Sequence, residues 1–133
     1  MNTKTLMIAS TIFLGTLGSV LTFLPNEIIS SISTTPNPIL TLSFQLLGAL
    51  YLGFAILNWM AKGTSIGGIY NKPIAVGNFM NFGVGALALI KIILEIQIHV
   101  EIIISLTVVY ITFAILFGYV FRTNPSRVEY NII

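Results

Sequence analysis

The segment PNPILTLSFQLLGALYLGFAILNWMAKG, Pro36 to Gly63, decides the fold. Its one charge is Lys62, at the far end, and between Pro38 and Ala61 there is none. A helix over Pro38–Ala61 would run about 36 Å, enough to cross the roughly 30 Å hydrocarbon core of a bilayer. Its start is written in side chains. Asn37 offers an oxygen to cap the first turn, and Pro38 takes the first helical position, where a missing N–H costs nothing.

Three similar blocks lie to either side. The first runs over 6–24. The third, over 73–94, opens at YNKPIAV, where Asn71 and Pro73 repeat the start chemistry. The fourth, over 100–121, is closed by RTNPSR, whose proline cannot continue a helix. The composition agrees. Of 133 residues, 56% are hydrophobic and 8% charged, where a soluble domain carries about 25% charged residues. Mean hydropathy is +0.97. Backbone groups in lipid need internal partners, and the alternating pattern of a barrel strand is missing over most of the chain. The sequence therefore predicts an all-α polytopic membrane protein, a four-transmembrane-helix up-down bundle forming a single domain over 1–133. The amino-terminal apolar run exceeds a usual signal core and ends at Leu24-Pro25 without a small-x-small cleavage site, so it is read as a retained span.

Two segments join the spans without crossing. PNEIISSISTTPNP is too short and polar to span, and Ile28, Ile29 and Ile32 predict a short interfacial helix between spans one and two, with Glu27 in its first turn. EIQIHVEI, Glu95 to Ile102, alternates strictly and in water would read as a strand. Between two spans it is read as a tight interhelical turn.

The charges set an orientation. Lys4, Lys62, Lys72, Arg122 and Arg127 all fall on one side of an up-down arrangement, and Glu27, Glu95, His99 and Glu101 on the other. By the positive-inside rule both termini face the cytoplasm. Lys91, one turn before Glu95, is the exception, and either pairs with it or snorkels outward. The net charge of +2 is carried by single residues at helix ends rather than by a patch, which argues against a nucleic-acid partner. The absence of cysteine excludes thiol redox chemistry and thiolate metal sites.

The candidate site lies in the polar residues inside the spans. Gly48, Tyr51, Ala55 and Asn58 form a helical stripe on span two, with Gln45 one turn before. On span three Gly77, Asn81 and Gly85 form another, with Asn78 and Ala88 beside it. Amides facing lipid would be unsatisfied, so both stripes are expected to face inward. Two accounts fit: packing, in which amides bond between helices, and a polar pocket lined by Gln45, Tyr51, Asn58, Asn78 and Asn81, with Tyr110 of span four closing it. Thr11, Gly15, Gly18 and Thr22 make a small, hydroxyl-bearing face read as a helix–helix seam. Ser10, Ser19, Ser43 and Ser105 are read as hydroxyls bonded within or between helices. Trp59 and Tyr70 suit the headgroup level.

Glu95, His99 and Glu101 are the only cluster with acid–base or metal-ligand chemistry, and Glu95 and His99 would share a face if span three continued that far. At a membrane surface the bland reading, solvated loop residues, is preferred. The glycines of GTSIGGIY lack the Lys-Ser/Thr ending and the strand of a phosphate loop.

The stretches LLGALYLGFAILNWMAKG and GGIYNKPIAVGNFMNFGVGALALIK, within Leu46–Lys91, resemble small four-helix inner-membrane proteins of bacteria, with the general look of the DoxX-like group. The resemblance is one of helix layout. It implies a four-helix bundle in a bacterial cytoplasmic membrane and carries over no site residues or cofactor. The quinone-linked thiol oxidoreductases that share a four-helix plan use cysteines, which this chain lacks. Three functions stay in view. The first is a non-enzymatic membrane protein, without cofactor, that binds a lipid, another hydrophobic ligand or a partner membrane protein through the face of spans two and three. The others are a subunit of a homo-oligomeric transporter or channel, and a membrane-embedded isomerase.

Overall fold

The computed structural model describes residues 2–32, 35, 37–64 and 71–123. Five helices follow in order: α1 (Thr3–Phe23), α2 (Pro25–Ile32), α3 (Pro38–Ala61), α4 (Lys72–Ile93) and α5 (Val100–Thr123). Among the described residues there is no strand. The protein is all-α, and α1, α3, α4 and α5 are each long and apolar enough to cross a membrane. Every end lies within three residues of the expected span. Arg127, Tyr70 and most of GTSIGGIY lie outside the described residues.

Local chemistry accounts for the helix starts. Asn37 Oδ1 accepts from the backbone N–H groups of Ile39 (3.1 Å) and Leu40 (3.2 Å). Asn2 does the same for α1, accepting from Lys4 N at 3.1 Å. Asn71 precedes α4 without a side-chain cap; its carbonyl accepts from Ile74 N instead, at 3.1 Å. The expected interfacial helix is α2, with Pro25 and Ile29 buried, Glu27 in its first turn and Ile32 exposed. Between α4 and α5 the backbone is irregular, and His99 takes the left-handed region at φ 57°.

Large apolar side chains stand exposed on every spanning helix, among them Ile12, Ile39, Met60, Leu87 and Ile115. Only 17% to 33% of each spanning window is buried. Such a surface is stable in hydrocarbon and not in water, where contiguous apolar patches of this extent drive association. The chain is a small integral membrane protein.

The chain divides into two compact units, Met1–Gly63 and Thr64–Ile133. The first is a hairpin of α1 against α3, with α2 folded alongside. Its seam is built on glycine. A methyl group on Gly18 would lie 2.9 Å from the carbonyl oxygen of Gly48, and one on Gly48 would lie 2.7 Å from that of Gly18. The two backbones therefore touch, which only a residue without Cβ allows. Further along, Thr11 Oγ1 donates to the Ala55 carbonyl at 3.2 Å, and Asn58 Nδ2 donates to Ser10 Oγ at 3.1 Å. Rising numbers on one helix meet falling numbers on the other, so the pair is antiparallel. Thr41 Oγ1 donates to Asn26 Oδ1 at 3.1 Å, tying α2 to the start of α3.

The second unit is the antiparallel hairpin α4–α5, held by rings. Phe82 is fully buried. It stacks on Phe113 and Phe117 at 4.8 and 5.9 Å and meets Tyr110 edge-on at 5.3 Å. Gly85 makes room for the Tyr110 ring and Gly118 for that of Phe79. The buried stripe of α4 is Ala75, Asn78, Phe82 and Ala86. That is a correction of about 100° to the stripe read from Gly77, Asn81 and Gly85, one residue's turn around the helix. Small residues had marked the seam's edge, while the ring of Phe82 fills its centre.

Each unit has a basic end. Lys4 at the start of α1 and Lys62 after α3 share one end of the first unit, and its only acid, Glu27, is at the other. Lys72 and Arg122 share an end of the second, with Glu95, His99 and Glu101 opposite. Two cations sit on aromatic faces: Lys62 Nζ lies 2.8 Å from the Trp59 ring centroid and Lys72 Nζ 4.9 Å from that of Phe121. Such contacts hold an ammonium group beside an apolar surface.

Candidate functional site: a groove between α1 and α3

The antiparallel pairing of α1 and α3 leaves a shallow groove of about 360 Å³ on the first unit. Thr11, Gly15 and Ser19 of α1 form one wall, at i, i+4 and i+8. Leu52, Ala55, Ile56 and Trp59 of α3 form the other. The groove exists because the α1 wall is small. At Gly15 an added methyl would still stand 3.7 Å from Ala55 Cβ, so the helices are in ordinary contact at the floor and open above it.

The groove presents almost only carbon. Thr11 Oγ1 donates to the carbonyl of Met7 (2.8 Å) as well as to that of Ala55, and Ser19 Oγ donates to that of Gly15 at 2.8 Å. Hydroxyls satisfied by backbone carbonyls behave toward a neighbour as small, weakly polar surface. The same holds along the other helices: Ser43, Ser105, Thr107, Thr112 and Thr123 each donate to the carbonyl four residues before. The reading of these hydroxyls as bonded within or between helices agrees with this, and Thr11 does both. Thr22 departs from the pattern. Its Oγ1 is buried without a hydrogen-bond partner, pressed against the Gly48 position.

The residues expected to line a polar pocket fall in both units. In the first, Asn58 is fully buried and donates to Ser10, so at least one of its polar bonds is a packing bond to α1. Tyr51 is buried on the same stripe. Gln45 is exposed. It lies about 100° around the helix from the middle of the Gly48–Asn58 stripe, which puts it past the edge of the buried face. In the second unit Asn78 is fully buried and Nδ2 donates to the Ile74 carbonyl of its own helix at 2.9 Å. Tyr110 is buried against Gly85 and Phe82. Asn81 is different: its Nδ2 is buried with no acceptor. A buried amide nitrogen left unpaired costs roughly 1–3 kcal/mol, so Asn81 keeps unmet hydrogen-bonding capacity.

Glu95, His99 and Glu101 do not assemble. Helix α4 ends at Ile93, so Glu95 and His99 share no helical face. All three side chains are exposed. No group of three possible metal ligands occurs among the described residues.

The sequence marks Thr11 and Gly15 as a seam and Trp59 as an interfacial aromatic, without joining them. Leu52 and Ile56 were not singled out. The usable signal was the run of small residues at four-residue spacing on α1, which marks where a helix surface is hollow. No protein-family model, no curated protein and no solved structure matches the chain.

Proposed function

We propose that this is a non-enzymatic integral membrane protein that holds a lipid or other hydrophobic molecule against the α1–α3 hairpin. The observation that carries this reading is the groove itself, an open hollow with an apolar lining and its hydroxyls turned to backbone carbonyls. Ligand sites are concave and mostly apolar, with a few polar groups to orient the occupant. Among the described residues the acids Glu27, Glu95 and Glu101 lie in first turns or just past a helix end, where they solvate rather than act on a substrate within the membrane. The protein resides in a bacterial cytoplasmic membrane with both termini inside, an orientation supported by the basic end of each unit.

Native mass spectrometry of the full chain, extracted gently with its own lipids, tests this. The expected result is a discrete co-purifying mass that is lost in the groove-filling variant Gly15→Ala/Ser19→Leu. A mass that survives there but disappears in Asn78→Leu/Asn81→Leu moves the site to the second unit. A bare protein, unchanged by either variant, refutes the reading and leaves the asparagines as packing groups.

A further inference from the structure

The groove has a polarity along its length. At its Trp59 end Lys62 lies on the ring of Trp59, itself part of the wall. The contact holds the ammonium group against a residue of the wall, and an ammonium group carries three N–H donors, of which a ring face engages at most a part. Lys4 belongs to the same end. It lies seven residues before Thr11, two helical turns along the same stripe of α1, about 10 Å beyond the groove's wall. Among the described residues of the first unit the one acid is Glu27, on α2. Toward the other end, at Ser19 and Leu52, the lining is carbon and satisfied hydroxyl. Two positive charges over an apolar channel, with an indole at the junction, match a molecule with an anionic head and a hydrocarbon tail.

We propose that the α1–α3 groove binds one anionic phospholipid, its phosphate at Lys62 and Lys4 and one acyl chain lying along Gly15, Leu52 and Ala55. This rests on the reading of the groove as a hydrophobic-ligand site and names the headgroup it selects. Trp59 sets the depth. Amphipathic aromatics settle at headgroup level, which places the mouth among phosphates and the rest of the groove among acyl chains. Zwitterionic lipids fit the channel equally well, but their own ammonium group opposes Lys62 and Lys4. A basic residue near an anionic surface contributes a preference of about five-fold, and the pair gives the groove its selectivity.

The chain carries its own probe, because Trp59 is its single tryptophan. The full-length protein is reconstituted in phosphatidylcholine bilayers, and acyl-brominated phosphatidylglycerol or acyl-brominated phosphatidylcholine is added in steps. Quenching of Trp59 reads occupancy of the groove. Random contact with the half-exposed ring contributes for both lipids, and the charge variants separate it from binding in the groove. The expected result is about five-fold or stronger apparent preference for the anionic lipid, falling several-fold in Lys62→Gln and unchanged in Lys72→Gln, which removes the same charge from the second unit. Thermal midpoints of both variants confirm that the fold is kept. Equal reduction by Lys62→Gln and Lys72→Gln means diffuse surface attraction and overturns the proposal. Equal quenching by both lipids, weakened for both in Gly15→Ala/Ser19→Leu, overturns the headgroup assignment while leaving the hydrophobic-ligand reading standing. Equal quenching that ignores the groove-filling variant removes both.

Discussion

Two glycines on α3, Gly48 and Gly53, allow a test in which the same substitution has opposite signs. A methyl group on Gly48 would stand 2.7 Å from the Gly18 carbonyl oxygen and 2.8 Å from the Thr22 backbone nitrogen. Both are backbone atoms of α1 and cannot swing aside. The helices must part by a few tenths of an ångström to about 1 Å, a gap that forfeits a quarter to a half of each dispersion contact along the seam. Overpacking of this kind costs about 1–3 kcal/mol. The helix propensity of alanine over glycine returns roughly 0.5–1 kcal/mol, so Gly48→Ala should destabilise the first unit by about 1–2 kcal/mol. At Gly53 an added methyl meets nothing within 4 Å. There only the propensity term remains, and Gly53→Ala should be neutral or stabilising by up to about 1 kcal/mol. The assay is reversible unfolding in mixed micelles with increasing denaturing detergent, followed by circular dichroism. The two variants should differ by about 2 kcal/mol. If Gly48→Ala is as stable as Gly53→Ala, the close approach of α1 and α3 is not there.

Other expectations follow from the same contacts. A double-mutant cycle on Ser10→Ala and Asn58→Ala should give a coupling of about 0.6 kcal/mol, the usual strength of an interhelical bond in lipid; zero coupling would mean that the 3.1 Å contact contributes nothing. Phe82→Ala should destabilise the second unit by about 3–5 kcal/mol, and a loss no larger than that of the more exposed Phe79→Ala would contradict the ring cluster as the core. At His99 the left-handed backbone should make His99→Val less stable than His99→Gly by at least about 1 kcal/mol, and equal stabilities would refute that conformation. The cysteine-free chain also permits topology mapping with an impermeant thiol reagent. Asn2→Cys and Lys62→Cys should stay unlabelled in intact cells while Ser30→Cys and Gln97→Cys react, and the reverse pattern would invert the orientation.

Much of the helical layout was legible because lipid imposes it. An apolar run between capping signals has few alternatives when every backbone group must be bonded internally, and Asn37 with Pro38 marks the start of α3 unambiguously. Even α2 could be read, from three isoleucines too few to span. The candidate site was harder. Helical spacing assigns residues to a face but does not say what the face meets. The pocket reading groups Asn58 with Asn78 and Asn81, yet a partner of Asn58 is Ser10, 48 residues away on α1. On α4 the small residues suggested a stripe that the rings of α5 displaced by one residue, because Phe82 buries far more surface than a glycine.

By itself, then, the sequence determined how many helices there are, where they begin and end, and that they live in lipid, since these depend on length, charge and caps along one segment at a time. Only the tertiary structure decided which helix pairs with which, and at what distance. That depends on the contact of Gly18 with Gly48, where neither residue has a side chain to announce the other. The groove is a consequence of that pairing. Small residues on α1 leave it open, α3 supplies its far wall, and Lys4 shares an end with Lys62 only because the two helices run antiparallel.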